Sequence, residues 1–112
     1  MAINRWVGQG NLVFDVEVKQ AGEKKVLNNK LAINWGKSAD GKSLTDFIPF
    51  TAWDKDAELI GRLSKGSQVA LEGNIKVESY KDKNDTMQTK VFVRVTSVGL
   101  CYGTASVTQE ME

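Results

Sequence analysis

Between Asp46 and Lys81 the chain carries two alternating runs, Phe47 to Trp53 and Val69 to Tyr80, around a short segment whose apolar residues recur every third position. This pattern predicts a strand, a short helix and a second strand. In the first run Phe47, Pro49, Thr51 and Trp53 share one face and Ile48, Phe50 and Ala52 the other, because side chains alternate along a pleated strand. Both faces are apolar, so the face bearing Phe47 and Trp53 is either buried or kept for stacking on a ligand. Asp54 is expected to cap a helix with Ala57, Ile60 and Leu63 on its narrow apolar stripe, and Gly66 to end it. In the second run Val69, Leu71, Ile75 and Val77 are assigned inward, and Ala70, Glu72, Lys76, Glu78 and Tyr80 outward. Gly73 interrupts the inward series and marks a bend or bulge.

The remaining segments are weaker versions of the same pattern. Asn4 to Val7 reads as a first strand that ends near Gly8 and Gly10, where the barrel needs to bend, and Phe14, Val16 and Val18 alternate as a half-buried strand that continues it past the bend. Gln20 to Lys25 reads as a polar turn around Gly22, followed by a strand from Val26 to Trp35 with Leu31, Ile33 and Trp35 on one side. Gly36 to Asp46 is rich in turn formers and reads as a hairpin loop that carries Lys37 and Lys42. A second loop, Lys81 to Thr86, leads to a last strand, Thr89 to Val98, with Val91, Val93 and Val95 inward and Lys90, Phe92 and Arg94 outward.

Composition removes several classes of function. A chain of 112 residues suits one compact domain. The absence of histidine takes away the usual general base and the commonest metal ligand, and the single cysteine, Cys101, has no partner for a nucleophilic dyad or an internal disulfide. Asp82, Asn84 and Asp85 lack the glycine and distal glutamate of a calcium loop. Gly8-Gln9-Gly10 lacks the third glycine and the following helix of a dinucleotide site. The chain reads as a non-enzyme without cofactor or metal. Lacking an apolar leader or membrane-length run, it reads as cytoplasmic and free of membrane, which leaves the acceptor triplet Asn84-Asp85-Thr86 idle. A net charge of +1 gives no strong overall field, so a polyanion site must come from local charge arrangement.

Five strands with one helix between the third and fourth is an all-β class with one short helix: the OB-fold, a five-stranded Greek-key barrel. Asp46-Phe47-Ile48-Pro49-Phe50 leading to Trp53, Leu63-Ser64-Lys65-Gly66-Ser67-Gln68-Val69, and Leu71-Glu72-Gly73-Asn74-Ile75 carry a resemblance at this point. They resemble the bacterial single-stranded DNA-binding protein family, which includes phage-encoded members. Ile3-Asn4-Arg5-Trp6-Val7 and Leu31-Ala32-Ile33-Asn34 are similar to the same family, so the likeness spans roughly residues 3 to 100. It implies a binding domain over residues 1–100, with 101–112 as a short flexible tail. It also implies a homotetramer, replication or recombination proteins as partners, and the host cytoplasm for a phage-encoded member. The acidic, hydrophobic tip of the cellular members is not found in the stretch ending Glu110-Met111-Glu112.

A single strand exposes base faces that flat side chains stack on at about 1–3 kcal/mol per base, while lysines and arginines meet the phosphates. The stacking candidates are Trp35, Phe47, Trp53 and Tyr80. By resemblance Phe47, Trp53 and Tyr80 stand where the family places stacking aromatics, with Trp35 near such a position. The phosphate candidates are Arg5, Lys76, Lys81, Lys83, Lys90 and Arg94. Each aromatic also has a plain packing explanation, and Trp6 reads as packing or part of a subunit interface. The expected function is sequence-independent binding and protection of single-stranded DNA during replication, recombination and repair. The competing one is an OB-fold protein-interaction module or primosome-type adaptor.

Overall fold

The computed structural model describes residues 2–99. The proposed tail beyond residue 100 lies outside them. The chain order is β1 (Trp6–Leu12), β2 (Lys19–Ala21), β3 (Lys24–Lys37), β4 (Ser43–Trp53), α1 (Asp54–Ile60), β5 (Gln68–Lys81) and β6 (Met87–Gly99). Hydrogen bonding runs β1-β5-β6-β4-β3, and a second β1–β3 pairing at Asn11↔Ala32 and Leu12↔Leu31 closes the ring. The result is the five-stranded OB barrel, with β2 as an added edge strand on β3. All pairings are antiparallel except β4–β6, which meet in parallel at Phe50↔Val93 and Thr51↔Arg94.

Inward residues of every barrel strand meet in one core, among them Leu12, Leu31, Phe50, Leu71 and Val93, each at most 2% exposed. Burying a side chain of this size stabilises by about 1.5–3 kcal/mol. Helix α1 plugs the barrel with Ala57 and Ile60, as the narrow stripe predicts. Its ends differ from expectation. Trp53, with no side-chain cap bond, occupies the N-cap position, and Asp54 has φ of 48°. Asp54 Oδ1 instead accepts the Lys25 N–H at 3.0 Å, just beyond the last β3–β4 pair, Val26↔Trp53. A carboxylate that satisfies a strand donor is not available to the helix terminus. The helix stops at Ile60, so Leu63 packs on the core from the following turn, where Gly66 has φ of 88° and donates to the Leu12 carbonyl at 2.8 Å.

Strand β1 runs straight through Gly8 and Gly10 rather than ending there. A Cβ at Gly10 would sit 2.5 Å from the Ala32 carbonyl oxygen, so glycine is what lets β1 leave β5 and close on β3. The half-buried Trp6 ring occupies the space that a Cβ at Gly8 would take, which accords with its packing role. After Leu12 the expected strand through Phe14 and Val18 does not form. The buried Asn29 side chain accepts from Phe14 N–H at 3.0 Å and donates to the Phe14 carbonyl at 3.1 Å, replacing ladder bonds. Only Val16 of the three alternating residues packs on the core. The next segment, expected as a turn over Gln20 to Lys25, is a tight hairpin: Lys19↔Val26, Gln20↔Lys25 and Ala21↔Lys24 pair across Gly22-Glu23.

The loop expected over Gly36 to Asp46 contracts to Ser38–Lys42, because the polar residues on either side still pair through their backbones, Lys37↔Ser43 and Asn34↔Thr45. Ser38 and Lys42 close it, with the Lys42 carbonyl accepting from Ser38 N–H at 2.8 Å. The β5–β6 register shifts at Glu72/Gly73, at the glycine that the sequence marks as a bulge. Beyond it the hairpin outruns the barrel. Ile75, Val77 and Val91, assigned inward by alternation, keep that parity but have no core beneath them, and Val77 is 64% exposed. Phe92, assigned outward, is in contrast only 8% exposed.

Candidate nucleic-acid interface

Strands β3, β4, β6 and β5 lie side by side, and their outward residues line a groove of about 570 Å³. Alternation on each strand decides what enters it. Trp53 ends β4 beside Val26, its β3 partner, while Thr51 pairs with Asn28 on one side and with Arg94 on the other. The Thr51 hydroxyl donates to Asn28 Oδ1 at 2.6 Å, which ties the floor together. From the hairpin, Lys76 pairs with Phe92 and Glu78 with Lys90, so a cation stands opposite the aromatic ring at the first step and opposite a carboxylate at the next. Lys90 Nζ lies 4.9 Å from the centroid of Phe92.

The electrostatics of this face differ from those of the whole chain. Lys24, Lys76, Lys90 and Arg94 line the groove against Asp54 and Glu78. Among the described residues none of these four cations forms an ion pair, whereas Arg5 is held to Glu72 at 2.7 Å and Lys81 to Asp85 at 3.6 Å. An unengaged cation beside an apolar wall is what a phosphate chain with stacked bases requires.

The structure therefore brings Trp53, Lys76, Lys90 and Arg94 of the expected residues together in one groove. Phe47 stands on the same outward series of β4, opposite Ala32, with its ring half exposed. Tyr80 continues the Lys76 and Glu78 side of β5, two residues beyond Glu78, and is also half exposed. Trp35 falls at the Asn34/Gly36 register shift of β3 and is 61% exposed, which answers the choice between core and surface. Arg5, Lys81 and Lys83 lie outside the groove lining: Arg5 beside β5 through Glu72, and the two lysines at the β5–β6 turn.

The model of the single-strand binding protein family matches residues 3–101. The chain belongs to that family. It is 37% identical over 87 residues to a single-stranded DNA-binding protein of Clostridium tetani, an overlap of 75% of this chain and 60% of the relative. Single-stranded DNA-binding protein 1 of Synechocystis is 30% identical over 103 residues, covering 89% of this chain and 84% of its own. Single-stranded DNA-binding protein 2 of Clostridium acetobutylicum is 31% identical over 87 residues, covering 75% and 65%. The matched region thus spans about 60% of the length of the Clostridium tetani relative.

Sequence reasoning passed over Lys24, Asn28 and Phe92 in the groove, and Phe14 and Lys30 in a hollow that adjoins it. Phe92 was legible: an aromatic between Lys90 and Arg94 on an outward series is a base-stacking signal. Lys24 was hidden inside an expected turn. Phe14 left no signal, because its place depends on a side-chain clamp and not on strand alternation.

Proposed function

We propose that this protein binds single-stranded DNA without sequence preference and keeps it unpaired during replication, recombination and repair. The observation that carries this reading is the groove in which Trp53 and Phe92 stand among Lys76, Lys90 and Arg94, with no carboxylate engaging those cations among the described residues. Aromatic faces accept any base, and cations along the same path take the phosphates, so binding follows the backbone and not the sequence. Binding the open strand in preference to the duplex stabilises the open form by mass action, without any bond made or broken. Phe47, Trp35 and Tyr80 extend the stacking path beyond the groove, Lys83 adds charge around it, and Arg5 and Lys81 reach phosphate by exchanging their exposed pairs with Glu72 and Asp85. Residues 1–100 are the binding domain in this reading, and the site of action is the cytoplasm.

One OB domain covers about 4–16 nucleotides, and a longer wrapped site needs several copies. A homotetramer is the assembly we favour, supported by the exposed apolar side chains Val7, Ile75, Val77 and Val91 on a surface otherwise rich in charge.

The test is a titration of labelled oligo-dT by anisotropy with the wild type, Trp53→Ala and Lys90→Met. Trp53→Ala is expected to weaken binding by about 1–3 kcal/mol. Lys90→Met is expected to flatten the dependence of log K on log salt by about 0.7. A Trp53→Ala protein that is folded and binds like the wild type would remove the groove from this account.

A further inference from the structure

Next to the groove lies a hollow of about 300 Å³, bounded by Phe14, Lys30, Pro49 and Phe92. It shares Asn28, Thr51, Lys90 and Phe92 with the groove, so the two adjoin at those residues. We propose that this hollow is a further base-binding subsite, in which one unstacked base of the bound strand lodges between Phe14 and Phe92 while Lys30 and Lys90 hold the flanking phosphates. The inference rests on the strand-binding reading above and extends it to Phe14 and Lys30, which that reading does not use.

Three observations favour a base as the occupant. First, each aromatic already carries a cation: Lys90 Nζ is 4.9 Å from the Phe92 centroid and Lys30 Nζ is 6.0 Å from that of Phe14. Second, no carboxylate lines the hollow, in contrast to Asp54 and Glu78 in the groove, so its charge complements an anion alone. Third, Phe14 is 51% exposed on a segment outside any strand, yet its backbone is pinned at both N–H and C=O by Asn29, itself only 5% exposed. Asn29 Oδ1 also accepts the Lys30 N–H at 2.7 Å, so one buried amide sets the aromatic and its lysine together. A backbone held in this way loses little further freedom when a base stacks on the ring it carries.

The experiment compares wild type, Phe14→Leu and Phe92→Leu in anisotropy titrations with oligo-dT of increasing length at one salt concentration. Leucine keeps apolar bulk and removes the π-face. About tenfold weaker binding is expected in each variant for oligonucleotides long enough to run from Trp53 to Phe14, with the shortest binding oligonucleotide unaffected by Phe14→Leu. Photo-crosslinking with 5-iodouracil in the wild-type complex is expected to label the peptide containing Phe14. Should Phe92→Leu fail to fold by circular dichroism, Phe14→Leu and the crosslink carry the test, since Phe14 is exposed. Equal affinity of Phe14→Leu and wild type at every length, with no label on that peptide, overturns the subsite and leaves the Trp53 groove standing. Wild-type protein that binds no oligonucleotide overturns both.

Discussion

Asn29 is a polar residue in an otherwise apolar inward series, between the buried Leu27 and Leu31. Its amide serves Phe14 N–H, Phe14 C=O and Lys30 N–H, three backbone groups at the point where β1 has ended and no ladder partner takes over. Removing one partner of a buried polar group costs about 1–3 kcal/mol, so Asn29→Ala is expected to lower stability by that much. Urea unfolding checks it: the midpoint should fall at unchanged slope, and an unchanged midpoint would show that water takes over the amide's bonds. The same residue explains what could be read in advance at this scale and what could not. Trp53, Lys76, Lys90 and Arg94 follow from strand parity, a strictly local rule, and all four reach the groove. Phe14 follows from a bond to a residue fifteen positions away, which no periodicity records.

Among the elements, the β5–β6 hairpin departs furthest from what alternation predicts, because parity tells which face a residue shares and not whether anything lies beneath it. Gly73 was legible as a bulge because it interrupts the inward alternation, and the structure adds that a Cβ there would collide with the Arg94 carbonyl. The overhang of Ile75, Val77 and Val91 was not, because it depends on where the barrel ends. The far end of this hairpin is ordered by Asp82, whose carboxylate accepts from Asn84 N–H at 2.9 Å, Thr86 N–H at 3.0 Å and Gln88 Nε2 at 3.0 Å. The Thr86 bond foremost, with those from Asn84 and Gln88, holds the Asp82 carboxyl below its ordinary value of 3.8. A depressed carboxylate contributes order that is fully present above 3.8 and is lost as pH falls through the lower folded value. The Thr86 amide resonance is therefore expected to titrate with a midpoint below 3.8, and a midpoint at or above it would contradict the turn geometry.

At the scale of the whole molecule, a net charge of +1 hides a face on which Lys24, Lys76, Lys90 and Arg94 are left unengaged among the described residues, while Arg5, Lys25 and Lys81 are paired elsewhere. Composition could not reveal this, because a sum over residues does not record which cations are already paired. The barrel itself was legible, since its strands bury continuous alternating series. Its exposed apolar side chains, Val7 and Val77 among them, favour association, and the proposed homotetramer predicts a mass in light scattering four times the 12.4 kDa of the chain. A monomeric mass would mean that these side chains serve another contact. The most direct measurement is the affinity of the wild-type protein for oligo-dT and for a duplex of equal length, each across a series of salt concentrations. Tight binding to the single strand, with log K falling linearly with log salt, and much weaker binding to the duplex are expected. No binding at micromolar protein, or equal binding to both forms, would contradict the strand-binding reading.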